Sequence, residues 1–194
     1  MFELTGKTAI VTGAGSRNGI GRATALALAK QGADVAVCDL NLAGVQETSK
    51  EIKALGRRSL AIQVDVTSPE SVEKAVQAVL KEWGRIDILA NIAGITQPIK
   101  VIDTTPADFD RIVSVNMKGT FLFSKAVLPT MMAQKHGRII NMSSVSAKRG
   151  GGVFGGAHYS AAKAGILGFA KALAREVAPY NITVNSVAPG LVLT

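Results

Sequence analysis

Short β-branched runs alternate with stretches of helical periodicity along the whole chain, and that alternation leaves few folds open. The runs fall at 7–12, 34–39, 59–65, 86–91, 137–142 and 181–187. The intervals between them are long enough to hold covering helices, which parallel strands require for their crossovers. The reading is therefore α/β, a parallel sheet with helices packed on it. One helix is defined at both ends. Ser68-Pro69 supplies a cap and a first-turn proline, Val72, Ala75, Val76, Val79, Leu80 and Trp83 recur at helical spacing, and Gly84 stops it. Thr105-Pro106 opens another, with Asp108 placed to assist the cap and Phe109, Ile112 and Val113 beginning its buried face. Arg149 to Gly156, with five glycines, reads as an irregular loop before a helix over 158–178.

At 194 residues one domain is expected, spanning 1–194. Hydrophobic residues make up 47% and charged residues 19%, a globular balance, and the 20 glycines show no collagen period. The single Cys38 allows no internal disulfide and fits a reducing compartment. With only His136 and His158 beside it, no zinc spacing exists and no metal is expected. No run of 18 apolar residues would span a bilayer, and the start Met-Phe-Glu-Leu-Thr-Gly-Lys is unlike a signal peptide. The expectation is a cytoplasmic protein without a membrane partner. Net charge is +8, and residues 111–194 hold ten basic side chains against one acid, Glu176. Such a field attracts anions. The basic residues come singly or as the pairs Arg57-Arg58 and Lys148-Arg149, so nucleic acid is not the expected partner.

The first strand runs into Thr12-Gly13-Ala14-Gly15-Ser16-Arg17-Asn18-Gly19-Ile20-Gly21 and an alanine-rich helix. Glycines at a strand-to-helix turn let backbone amides and the positive helix end approach a pyrophosphate. The G-x-G-x-x-G spacing fails at Asn18, so a plain turn stays open. The second strand ends in Asp39, 26 residues after Gly13. An acid there can bond both ribose hydroxyls of an adenosine and repel a 2′-phosphate, or simply close a turn. Asn116 falls on the apolar stripe of its helix, and a buried amide must be hydrogen-bonded, whether for structure or catalysis.

Tyr159 and Lys163, four apart, share a helix face among Ser160, Ala161, Ala162, Ala164 and Gly165, with Ser143-Ser144 just upstream. A free tyrosine titrates near 10 and is roughly 0.1% phenolate at pH 7. Lowering it by about three units needs about 4 kcal/mol, which one ammonium at about 4 Å supplies at an effective dielectric near 20. A serine hydroxyl beside the pair would hold a substrate oxygen. Serine nucleophilic catalysis is the competing chemistry, but no G-x-S-x-G elbow occurs and neither histidine has an evident positioning acid.

From Lys7 to Thr194 these segments resemble, in order, the short-chain dehydrogenases/reductases. The resemblance is carried by Thr12-Gly13 with Gly19-Ile20-Gly21, Asp65-Val66, Asn91-Ile92-Ala93-Gly94, Asn116-Met117-Lys118-Gly119, Ser144, Tyr159-x-x-x-Lys163 and Pro189-Gly190. It implies a Rossmann-type doubly wound parallel sheet with helices on both faces, three layers in all. It also implies hydride transfer between a nicotinamide cofactor and a ketone/secondary-alcohol pair. Tyr159 would give or take the hydroxyl proton and Ser144 orient the substrate oxygen. Lys163 would bind the nicotinamide ribose and favour the phenolate, and Asn116 would hold a relay water.

The cofactor residues so implied are Gly13, Ser16, Arg17, Asn18, Gly19, Ile20, Asp39, Asp65, Val66, Asn91, Ala93, Gly94, Tyr159, Lys163, Pro189, Gly190, Val192 and Thr194. Asp39 favours NAD, with NADP not excluded. The likeness is greatest to 3-oxoacyl carrier-protein reductases, which generally use NADPH, so a 3-oxoacyl thioester is the alternative substrate. A non-catalytic dinucleotide sensor or scaffold is the alternative of another class. Three departures stand out: five residues separate Gly13 from Gly19 where the family usually has three, Ile92 replaces a second Asn, and the Ser144–Tyr159 interval is about two residues longer.

Family members usually continue past Pro-Gly-x-x-x-Thr into a substrate loop, a last strand and a tail that these 194 residues do not include. The sixth strand would then be an open edge, and a chain cut at Thr194, as distinct from one that carries that segment, is expected to aggregate and be inactive. Leu167, Phe169, Ile166, Ala170 and Leu173, with Phe121, Phe123, Val127, Leu128 and Met131, read as more apolar surface than the sheet alone covers, and the resemblance implies that these two helices meet their copies in a homodimer or homotetramer.

Overall fold

A computed structural model describes residues 3–152 and 155–192. Six parallel strands, β1 (Thr8–Thr12), β2 (Asp34–Asp39), β3 (Ser59–Gln63), β4 (Ile88–Asn91), β5 (Gly137–Met142) and β6 (Ile182–Val187), form one sheet in the order β3-β2-β1-β4-β5-β6. This is the doubly wound arrangement that the resemblance implies, and the chain changes direction of winding between β1 and β4. The strands expected at 59–65 and 86–91 are shorter by two residues each, because Val64–Asp65 and Ile86–Asp87 leave the ladder. Helices α1 (Ile20–Lys30) and α2 (Leu42–Ala54) cover one face; α3 (Pro69–Trp83), α5 (Gly119–Gln134) and α7 (Ala157–Val177) cover the other. Two shorter helices, α4 (Pro106–Val113) and α6 (Ser146–Arg149), complete the set.

Burial along the strands follows from this layering. β1 is buried at every position and β2 at all but Asp39, as expected of central strands with helices on both faces. β5 and β6 alternate instead, with Ile139, Asn141, Ile182 and Val184 turned to the helix side. The α3 stripe meets the sheet as its spacing predicts, with Val72, Ala75, Val76 and Val79 buried. Its Ser68 side chain accepts the Ser71 N–H, and Gly84 closes the helix at φ +72°. Each fully buried valine there contributes about 1.5–3 kcal/mol over leaving it exposed.

Two expectations need correction. Phe109 does not begin a buried face, since it is 46% exposed while Ile112 is fully buried. The reason is that α4 packs chiefly against α7 and not on the sheet. Ile166, Ala170, Leu173, Phe123, Val127 and Met131 are not surface either. All six are buried, and all but Ile166 lie in the core between the sheet and α5 and α7. Phe121 at 43% exposed, with the partly buried Leu128, Leu167 and Phe169, is what remains outside.

Candidate active site

In a parallel sheet the carboxyl ends of the strands all face one way, and ligands bind where the winding reverses. Here that crevice opens between β1 and β4. Thr12 holds it open, its buried hydroxyl accepting the N–H groups of Ile92 and Ala93 at 2.9 and 3.0 Å, so the two chains leave the sheet in fixed directions. Gly13 follows at φ +70°, with Ala93 N only 2.7 Å from where a Cβ would lie, so no other residue fits. The result is a cleft of about 900 Å³ along the strand ends. That is ample for a dinucleotide-sized ligand.

At one end of the cleft the lengthened glycine segment leans toward β2. Gly15 N–H donates to Asp39 Oδ2 at 2.9 Å, the Asn41 N–H donates to Asp39 Oδ1 at 3.0 Å, and the Thr48 hydroxyl donates to Ala14 O at 2.9 Å. Both Asp39 oxygens are thereby fixed, and each keeps a lone pair for a further donor. Ser16, Gly19 and Ile20 line the cleft, while exposed Arg17 and Asn18 do not. Helix α1 starts at Gly19 with no side-chain cap, leaving its first N–H groups aimed at the cleft.

At the other end four side chains converge from three elements. Asn116 sits on a π-helical turn, Ser114–Lys118, between α4 and α5. It is fully buried, and its Nδ2 donates to Ile95 O and Ile112 O, both at 2.9 Å. Its Oδ1 has no partner among the described residues. A Cβ on Gly94 would lie 2.6 Å from that oxygen and 3.2 Å from Lys163 Nζ, so glycine leaves both atoms facing one point. Lys163 Nζ donates to Met142 O at 2.8 Å and lies 5.7 Å from the Tyr159 ring centroid. Burial holds its ammonium pKa down at about 8. Of its three donors, two stay available. Ser144, at the end of β5, accepts the Ser146 N–H at 3.1 Å, which leaves its own proton to give. The neighbouring Ser143 hydroxyl instead donates to Lys163 O at 2.8 Å and pins α7 to the strand.

Of the residues expected at the site, the cleft wall also contains Val66, Ala93, Gly94, Pro189, Gly190 and Val192. Asp65 lies off the wall, with Oδ1 accepting the N–H and hydroxyl of Thr67 at 2.8 and 2.7 Å. Asn91 is buried beneath the floor, where its Nδ2 reaches Asn141 Oδ1 at 2.9 Å and Ser124 Oγ at 3.1 Å. Thr194 lies outside the described residues. The sequence reading missed four polar wall residues, Thr96, Ser143, Ser146 and Arg149. For Arg149 a signal existed, a basic residue directly before the glycine run that precedes Tyr159.

A family model described as short chain dehydrogenase matches residues 7–194. A short-chain type dehydrogenase/reductase of Sinorhizobium fredii, named y4mP and described as uncharacterized, is 48% identical over 98% of this chain and 76% of its own length. The 3-oxoacyl-[acyl-carrier-protein] reductase FabG of Escherichia coli is 43% identical over 100% of this chain and 76% of its own. Among solved structures, an NAD⁺-bound xylitol dehydrogenase superposes with a TM-score of 0.91 at 36% identity, covering 96% of this chain and 71% of that one. The match runs through sequence and overall fold alike, and the protein belongs to the short-chain dehydrogenases/reductases, oxidoreductases of CH–OH groups that bind NAD(H) or NADP(H).

Proposed function

We propose that the protein interconverts a small ketone and its secondary alcohol, with Tyr159 as acid and base, Ser144 as the hydrogen bond to the substrate oxygen, Lys163 beside Tyr159, and Asn116 behind Lys163. The observation that carries this reading is the convergence of these four side chains at one end of the cleft whose other end is a glycine-lined phosphate cradle. The residues fit a dinucleotide: Gly13 and Gly94 stand where a Cβ would collide, and α1 presents uncapped N–H groups. A bound nicotinamide would supply or accept the hydride. Ser144, with its oxygen occupied by the Ser146 N–H, gives its proton to the substrate oxygen. Tyr159 delivers a proton to that oxygen on reduction and removes it on oxidation. Lys163 turns its free donors to the ribose and keeps positive charge beside the tyrosine ring. Asn116 Oδ1, a buried acceptor without a partner among the described residues, suits a water that returns the proton toward Lys163.

Asp39 is our reason for choosing NAD(H). A 2′-phosphate would face its carboxylate, like charge against like in a partly desolvated corner. Catalytic efficiency with NADH is expected to exceed that with NADPH by tenfold or more, and Asp39→Ser to shrink the gap. Equal or better efficiency with NADPH would refute the preference, and Arg17→Ala would then test whether that guanidinium pairs with the phosphate. A 3-oxoacyl thioester is the second reading, supported by the E. coli relative. A panel of ketones with NADH and NADPH separates both from a sensor or scaffold, for which tight dinucleotide binding would come with no turnover of any ketone.

A further inference from the structure

The wall of the cleft carries three charged side chains, and the reading above uses two. Asp39 lies at the adenosine end, and Lys163 is buried against Met142 O. The third is Arg149, the last residue of α6, on the wall with Ser144, Val145, Ser146 and Tyr159. It is exposed, and among the described residues no carboxylate lies within ion-pair distance of it. None is close in sequence either, since the only acid in residues 111–194 is Glu176. Glu176 stands 17 residues beyond Tyr159, about 25 Å along α7. An unpaired guanidinium in a cleft wall offers a planar fork of donors suited to a carboxylate or a phosphate. It stands five positions after Ser144, at the far end of α6 on the same wall.

We infer that Arg149 is a specificity-determining residue and that the substrate is a ketone or alcohol carrying an anionic group, carboxylate or phosphate, at the end remote from the reacting carbon. The inference rests on the proposed oxidoreductase reading for which end of the cleft takes substrate. Adjacent Lys148 has the same charge but is not on the wall, which provides a matched control.

The test measures binding of two pairs of probes by ligand-observed NMR, acetoacetate against ethyl acetoacetate and dihydroxyacetone phosphate against dihydroxyacetone. NAD⁺ and NADP⁺ are present in excess, so that no ketone is reduced. The wild type and Lys148→Gln are expected to bind one charged probe at least about tenfold more tightly than its neutral partner, and Arg149→Gln to bind both alike. Which pair responds tells carboxylate from phosphate. No preference in the wild type, a preference that survives Arg149→Gln, or equal loss in Lys148→Gln would each overturn the inference. Reduction of the same probes with NADH and NADPH is scored separately. A charged-probe preference without any turnover contradicts the oxidoreductase reading and leaves the anion site standing, whereas turnover without the preference contradicts the anion site alone.

Discussion

In the proposed function Lys163 serves both tyrosine and ribose, and its environment has a thermodynamic consequence that can be measured without substrate. Its ammonium is buried beside Tyr159 with a pKa lowered from 10.5 to about 8. Between those values the unfolded chain binds more protons than the native one, so native stability rises as pH increases from about 8 to 10.5. The gain is of order 3 kcal/mol. Lys163→Met removes the titration, so the difference in unfolding free energy between wild type and variant should change by that order across the window, measured by urea denaturation without cofactor. Parallel curves would mean that the ammonium is not desolvated as described. At this scale the sequence was readable for placement: Tyr159 and Lys163, four apart on one helix, and Gly13 and Asp39 all line the cleft. It was less readable for Asp65 and Asn91, whose family positions match while their side chains turn to Thr67 and to Asn141. Rotamer and neighbour, not identity, decide that.

Among the elements, caps were the most legible. Ser68-Pro69 and Thr105-Pro106 start α3 and α4 as local chemistry requires, and Thr105 with Asp108 forms a capping box. The π turn was not legible, because it follows from a tertiary choice. Asn116 Nδ2 bonds Ile112 O, four residues back in its own helix, and Ile95 O across the chain, and this shared donor marks the widened turn between α4 and α5. Asn116→Ala would leave the buried Ile112 carbonyl and the part-buried Ile95 carbonyl short of a donor. It is expected to lose about 2 kcal/mol, seen as a lower urea midpoint at unchanged slope, along with lost turnover. Full stability with lost turnover would assign Asn116 to catalysis alone, against the double role described here.

For the whole molecule, the sheet order and the winding reversal were implied by strand–helix alternation and resemblance together, while the outer surface was misjudged. Hydrophobic spacing marks a face but not its partner, so six residues assigned to an interface belong to the chain's own core. Phe121, edge-to-face with Phe169 at 6.2 Å between centroids, remains outside, and Leu128 and Leu167 on the same two helices are only partly buried. We propose that this smaller patch joins copies of the chain. Light scattering should give two or four chains, and Phe121→Glu should weaken association at least tenfold; a wild-type monomer, or no change in the variant, would contradict it. The central claim, that Tyr159 moves the proton while the rest of the cleft holds the dinucleotide, is tested most directly by Tyr159→Phe, which removes one oxygen and little volume. NADH affinity by fluorescence titration and ketone turnover are measured on the same preparation. The account predicts unchanged affinity with turnover reduced about 10²-fold or more, and near-normal turnover in the variant would contradict it.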